Sequence, residues 1–204
     1  MRSIIKKSEA YVCKILANTS NDLCFHNINH TKMVVKATQE VCDKLKVDDE
    51  IREIVTIAAW FHDTGYLKDY FNHEEESKII AQDFLEKEQY APKKLKEVLN
   101  CINATKFGHK PTTLAEQIIC DADVYHLACN KYFDWLEKLR IEWEKNLNTC
   151  LSDKQWYNNN LEFLQKHSFC TEYGKHVLEK RKQKNIYKNI EKMEGDLTRW
   201  RNMI

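Results

Sequence analysis

Apolar positions recur along this chain with the period of a helix. Ile4, Ile5, Tyr11, Val12, Ile15 and Leu16 make one stripe in the first 20 residues, closed by a turn signal over Asn18 to Asp22. A second helix runs from His26 to about Leu45, with Met33, Val34, Ala37, Val41 and Leu45 on one face. Asp48 or Asp49 caps a third, about Glu50 to Asp63, and Glu50 and Glu53 suit its positive end. Its second half (Ile54, Val55, Ile57, Ala58, Ala59, Trp60, Phe61) is apolar on most sides, which predicts a helix at the centre of a bundle.

"TGYLKDYFN" reads as a loop, and Gly65 can supply a positive φ that ends the third helix after Asp63. "HEEESKIIAQDFLEKE" reads as a helix with Ile79, Ile80, Phe84 and Leu85 inward. Pro92 opens another that reaches about Thr105, "KFGHKPTT" is a loop, and Thr112 or Thr113 caps the helix carrying "LAEQIICDADVYHLA". After about Lys131 come long helices whose aromatics, Tyr132, Phe133, Trp135, Trp143, Trp156, Tyr157 and Phe163, read as core. The basic last 25 residues read as a solvated helix face. No repeat and no domain boundary stands out.

Composition narrows the class. The chain has 204 residues, with only four Gly and two Pro, too few breakers for sheets and their turns; the expected fold is all-α. Lys plus Arg is 32 against 31 Asp plus Glu, a net charge of +1 that gives no global argument for nucleic acid or membrane binding. Eight Cys show no close pair, which excludes zinc-finger and CxxC redox readings and leaves them as core filler. The first residues lack a continuous apolar run, so no leader or membrane span is expected and the expected compartment is the cytoplasm.

The candidate chemistry lies in four dispersed positions: His30, His62 with Asp63, and Asp123. Each falls on or at the end of a helix with an apolar inward face, where imidazoles and carboxylates are costly unless paired or bound to a cation. Mixed nitrogen and oxygen donors suit Mn, Fe, Zn or Co, with Mg admitted where carboxylate and water dominate. His126, His167 and His176 read as packing or surface residues.

In order and context these residues resemble the HD superfamily of metal-dependent phosphohydrolases: a His in "HTKMVVKA", a His-Asp dyad in "AAWFHDTGY" and a distant Asp in "IICDADVYHL". The resemblance covers roughly residues 20 to 190. It implies a helical bundle of the HD-domain type, read here as one domain over 1–204, with a core at about 20–130 and further C-terminal helices at about 131–204. It implies metal ligands at His30, His62, Asp63 and Asp123, with Asp121 near them as a residue that orients a ligand or as the direct ligand in place of Asp123. "FHNINH" is also similar to the segment opening the catalytic domain of class I cyclic-nucleotide phosphodiesterases. By that likeness His26, one helical turn before His30, donates a proton to the leaving oxygen; Asp63 is read as bridging to a second cation or orienting the attacking water.

Members of the superfamily with two tightly bound metals carry two further His. His73 stands at the first such position, but Thr105 occupies the second, with His109 four residues on. One firm divalent metal is expected, with a second admitted through Asp63 and His73. Lys68, Lys106 and Lys110 flank the site, and Lys106 and His109 are candidates for contact with substrate phosphate. The implied activity is hydrolysis of a phosphoester, a nucleotide or cyclic nucleotide, by metal-activated water. The implied partner is that small molecule, with no membrane and no nucleic acid, and a homodimer is admitted. The alternatives are a regulatory nucleotide-binding module with little turnover, or a diiron oxygenase.

Overall fold

A computed structural model describes residues 3–17 and 19–201. Among them are nine α-helices and no strand: α1 (Ile4–Leu16), α2 (Ile28–Leu45), α3 (Asp49–Phe61), α4 (His73–Lys87), α5 (Pro92–Ala104), α6 (Leu114–Asp123), α7 (Tyr132–Asn146), α8 (Asp153–Lys166) and α9 (Glu179–Arg201). Short 3-10 turns cover Thr64–Leu67 and Val124–Ala128, and a π turn covers Gly174–Leu178 just before α9. No described helix is long and apolar enough to cross a membrane. Asn18, which opens the expected first turn, lies outside the described residues, as do Met1 and Arg2.

The all-round apolar helix is the hub. α3 packs against α1, α2, α4, α5 and α6, and Ile54, Val55, Ile57, Ala58, Ala59 and Phe61 are fully buried. At about 1.5–3 kcal/mol for each large apolar side chain taken out of water, this helix is the strongest fixed point in the bundle. Its start is set by Asp48, which accepts from the Ile51 N–H at 2.8 Å. Thr113 caps α6 in the same way, accepting from Glu116 N–H at 3.2 Å. Ser152 and Gln155 form a capping box that opens α8.

Four local expectations need correction. α2 begins at Ile28 with Asn27 as its cap, so His26 precedes the helix instead of riding on it. Gly65 has no positive φ; Gly108 alone among the described glycines does. Gly65 is needed for close approach, since a Cβ there would stand 1.9 Å from His73 O and 2.7 Å from Ser77 N at the start of α4. Its N–H donates to Ser77 Oγ at 2.8 Å, joining the dyad's turn to α4. Ile79 is 48% exposed, because the inward row of α4 runs through Ser77, Ala81 and Leu85 at i, i+4 spacing. Finally, α9 is not simply solvated: Lys182, Asn185, Ile186 and Asn189 are buried where it meets the Val124–Ala128 turn and α8.

Candidate metal centre

Three helices deliver four side chains to one point. His30 comes from the first turn of α2, His62 and Asp63 from the end of α3, and Asp123 from the end of α6. Each offers one ligand atom, and these atoms lie within 4.8 Å of one another. His30 Nε2 is 3.2 Å from both Asp63 Oδ2 and Asp123 Oδ1. His62 Nε2 is 3.1 Å from Asp63 Oδ2 and 3.4 Å from Asp123 Oδ1. The two Nε2 atoms are 3.4 Å apart.

The donors are set for a cation. His62 Nδ1 lies 3.0 Å from Ala59 O, a carbonyl that can only accept, so the proton belongs on Nδ1 and the Nε2 lone pair faces the cluster. Asp63 Oδ2 is buried and faces both imidazole Nε2 atoms without a well-aligned hydrogen bond to either, an arrangement that a cation would satisfy. Burial alone would pull both imidazole pKa values down, yet Asp63 and Asp123 carry His30 above its ordinary value and His62 well above it. Burial likewise opposes the carboxylates, yet His62 and His30 hold Asp63 well below the usual range, and the same two imidazoles lower Asp123. The cluster therefore demands positive charge, from protons on the imidazoles or from a metal that replaces them.

Around the cluster the expected residues divide. His26 and His73 come close. Tyr66 is stacked between them, with ring centroids 4.2 Å from His26 and 3.9 Å from His73. His73 Nε2 reaches within 3.9 Å of Asp63 Oδ1 and 3.5 Å of Glu74 Oε1. Lys106 and His109 sit on the exposed loop after α5 and make no side-chain contact with the cluster; Thr105 turns its hydroxyl back to Ile102 O at 2.8 Å. Lys68 is paired with Glu76 at 3.1 Å. Asp121 is buried but does not orient a ligand. Its carboxylate accepts from Cys170 N at 2.6 Å, Thr171 N at 2.9 Å and Thr171 Oγ1 at 2.7 Å, tying the segment before α9 to the end of α6.

Glu142, on α7, is a site neighbour that no sequence motif marks; its side chain is fully buried. Its carboxylate accepts from Phe25 N at 2.7 Å and His26 N at 2.9 Å, bonds the His26 ring at Nδ1, and accepts from Tyr70 OH at 3.1 Å. These bonds hold it ionised: burial would raise its pKa, but His26 and the two backbone N–H groups lower it. The available signal was an acid beside Leu139 and Trp143 on the inward face of an amphipathic helix. His26 Nε2 is left facing Tyr66 OH at 3.3 Å. His126 is the packing residue that the sequence suggests. It packs edge-on to Phe25 and His30, and burial drives its pKa down to about 3, so it is neutral.

No curated protein and no solved structure gives a significant match. The model of the HD domain family matches residues 27–128, half of the chain, and the chain belongs to that family.

Proposed function

We propose that this HD-domain protein hydrolyses a phosphoester, a nucleotide or cyclic nucleotide, at the centre formed by His30, His62, Asp63 and Asp123. The HD domain is that of a superfamily of metal-dependent phosphohydrolases, which gives the reaction class. The observation that carries the reading is the convergence of two imidazole Nε2 atoms and two carboxylates on one buried point, with a second imidazole–carboxylate pair beside it. When bound there, a divalent cation such as Mn, Fe, Zn, Co or Mg supplies Lewis acidity toward a phosphoryl oxygen and a lowered pKa for water.

The protein's own groups do the rest. Asp63 keeps Oδ1 on the His73 side of the cluster, where it can accept a hydrogen bond from the attacking water and fix its direction. The Glu142 carboxylate bonds the His26 ring at Nδ1 and so orients Nε2 as the atom that gives a proton to the leaving oxygen. Tyr66 holds the His26 ring plane by stacking. His73, at the same rim, is placed to meet a substrate phosphate or to support a second cation. Thr105 offers no imidazole, which argues against oxygenase chemistry at a diiron pair.

The test is direct. Protein loaded separately with Mn, Co, Zn, Mg or Fe is assayed against bis(p-nitrophenyl) phosphate and a panel of nucleoside mono-, di- and cyclic phosphates. Metal-dependent turnover that disappears in Asp123→Asn is the expected result. Folded, metal-loaded protein that binds a nucleotide in calorimetry but releases no product would instead select a regulatory module.

A further inference from the structure

We propose that the groove between the Val124–Ala128 turn and α9 is a second ligand site, for a soluble phosphomonoester that carries hydroxyl groups, such as a sugar phosphate or a nucleotide. The groove has a volume of about 340 Å³, and none of its lining residues belongs to the metal centre. That volume falls in the range of small-molecule sites and exceeds what a bare phosphate ion fills.

Its charge is one-sided. Arg181, Lys184 and Lys188 follow one another at turn spacing along α9 and all line the groove, while no carboxylate does. Like charges one turn apart on a helix repel, and neither Lys184 nor Lys188 has an ion pair among the described residues. The neighbouring acid, Glu40, is already engaged by Tyr125 OH at 2.8 Å, by Tyr173 OH and by Arg181 at 3.3 Å. A phosphate between the two lysines would relieve the repulsion, with the guanidinium one turn away.

A second observation selects what the phosphate is attached to. Asn185, only 3% exposed, lines the same groove. Its Nδ2 donates to Leu127 O at 2.8 Å and Cys129 O at 2.9 Å, which assigns the amide orientation and leaves Oδ1 without a protein donor. An amide oxygen in a groove lined by three cations is matched by a ligand with an O–H donor next to its phosphate. An inorganic phosphate leaves the amide oxygen unanswered.

The experiment is calorimetry on the full chain in chelator, so that the metal centre contributes no cation. The probes are ribose 5-phosphate, AMP, inorganic phosphate and vesicles containing phosphatidic acid. Saturable 1:1 binding of ribose 5-phosphate or AMP, at least tenfold tighter than inorganic phosphate, is expected. It should weaken at least tenfold in Lys184→Glu/Lys188→Glu. It should stay within twofold in Lys93→Glu/Lys96→Glu, which makes the same charge change on exposed residues of α5, and in Asp123→Asn. The proposal is overturned by no saturable binding of the soluble probes, by binding to vesicles alone, by equal loss in the α5 variant, or by loss in Asp123→Asn, which would put the ligand at the metal centre.

Discussion

The bundle α1–α6 and the segment α7–α9 both reach the metal centre, but they are attached to the molecule by opposite means. The bundle is joined by apolar packing about α3. The segment adds apolar contacts of its own, through Trp156, Leu164 and Leu178, but its registry on the bundle is set by buried polar hooks. Glu142 grips the backbone at Phe25 and His26, Asp121 grips Cys170 and Thr171, and Asn185 grips Leu127 and Cys129. Apolar packing is non-directional and tolerates exchange of similar volumes. A buried carboxylate that loses a partner leaves an orphan costing about 1–3 kcal/mol or more. The bundle therefore positions the four side chains of the cluster, and the segment positions His26, the proton donor of the proposed reaction, just outside the matched 27–128.

The strongest way to break this division is to remove a residue of the cluster. His62→Ala should lower metal affinity by at least about 100-fold and abolish measurable turnover, read by metal content after dialysis and by the phosphoester assay. The next largest effect belongs to the segment. Glu142→Gln should lower kcat by about 10–100-fold while metal content and KM stay near those of the parent, since only the group holding His26 is weakened. A Glu142→Gln protein that loses its metal would erase the distinction between the two regions. Smaller again, Asp121→Asn should cost about 1–3 kcal/mol of stability in urea melts, because an amide cannot accept all three hydrogen bonds, with metal content unchanged.

The same division explains what could be read from the sequence. Hydrophobic period located α3 as the hub and placed His62 and Asp63 at its end, and the HD pattern gathered His30 and Asp123 to them. The misses are polar or conformational. Gly65 was expected to act through φ, but its role lies in contact with His73 and Ser77, twelve residues away at the far end, which no local pattern encodes. Asp121 beside Asp123 invited a role at the metal, although the two side chains leave the end of α6 in different directions. His26 was placed on a helix face by i, i+4 spacing; the helix starts after it, and it reaches the site because Glu142 holds its loop from 116 residues away. Lys106 flanks the site in sequence and His109 stands four residues after Thr105, but their loop is exposed to solvent. Hydrophobic patterning carries no information about which buried acid meets which backbone N–H.

The pH dependence of stability tests the polar character of the segment. His167 caps the end of α8, its ring meets Phe169 edge-on at 4.8 Å, and its Nδ1 is buried without a partner. Burial, with Lys182 adding to it, pushes its pKa down to about 4. The sign follows from which state takes the proton first. Between about pH 6.5 and 4 the unfolded chain is protonated at this position and the folded chain is not, so stability is full above about 6.5 and falls as the pH drops. One such group changes the unfolding free energy by up to about 1.4 kcal/mol per pH unit, and by about 3 kcal/mol across the whole interval. Urea midpoints measured at pH 7.5, 5.5 and 4.5 should therefore fall more steeply for the parent than for His167→Phe, which keeps a ring and removes the titration. His126 and the cluster imidazoles titrate in both proteins, so the difference between the two slopes isolates His167. Parallel slopes would mean that the ring takes its proton in the folded state as easily as in the unfolded one, and that this part of the segment is held by packing, as the bundle is.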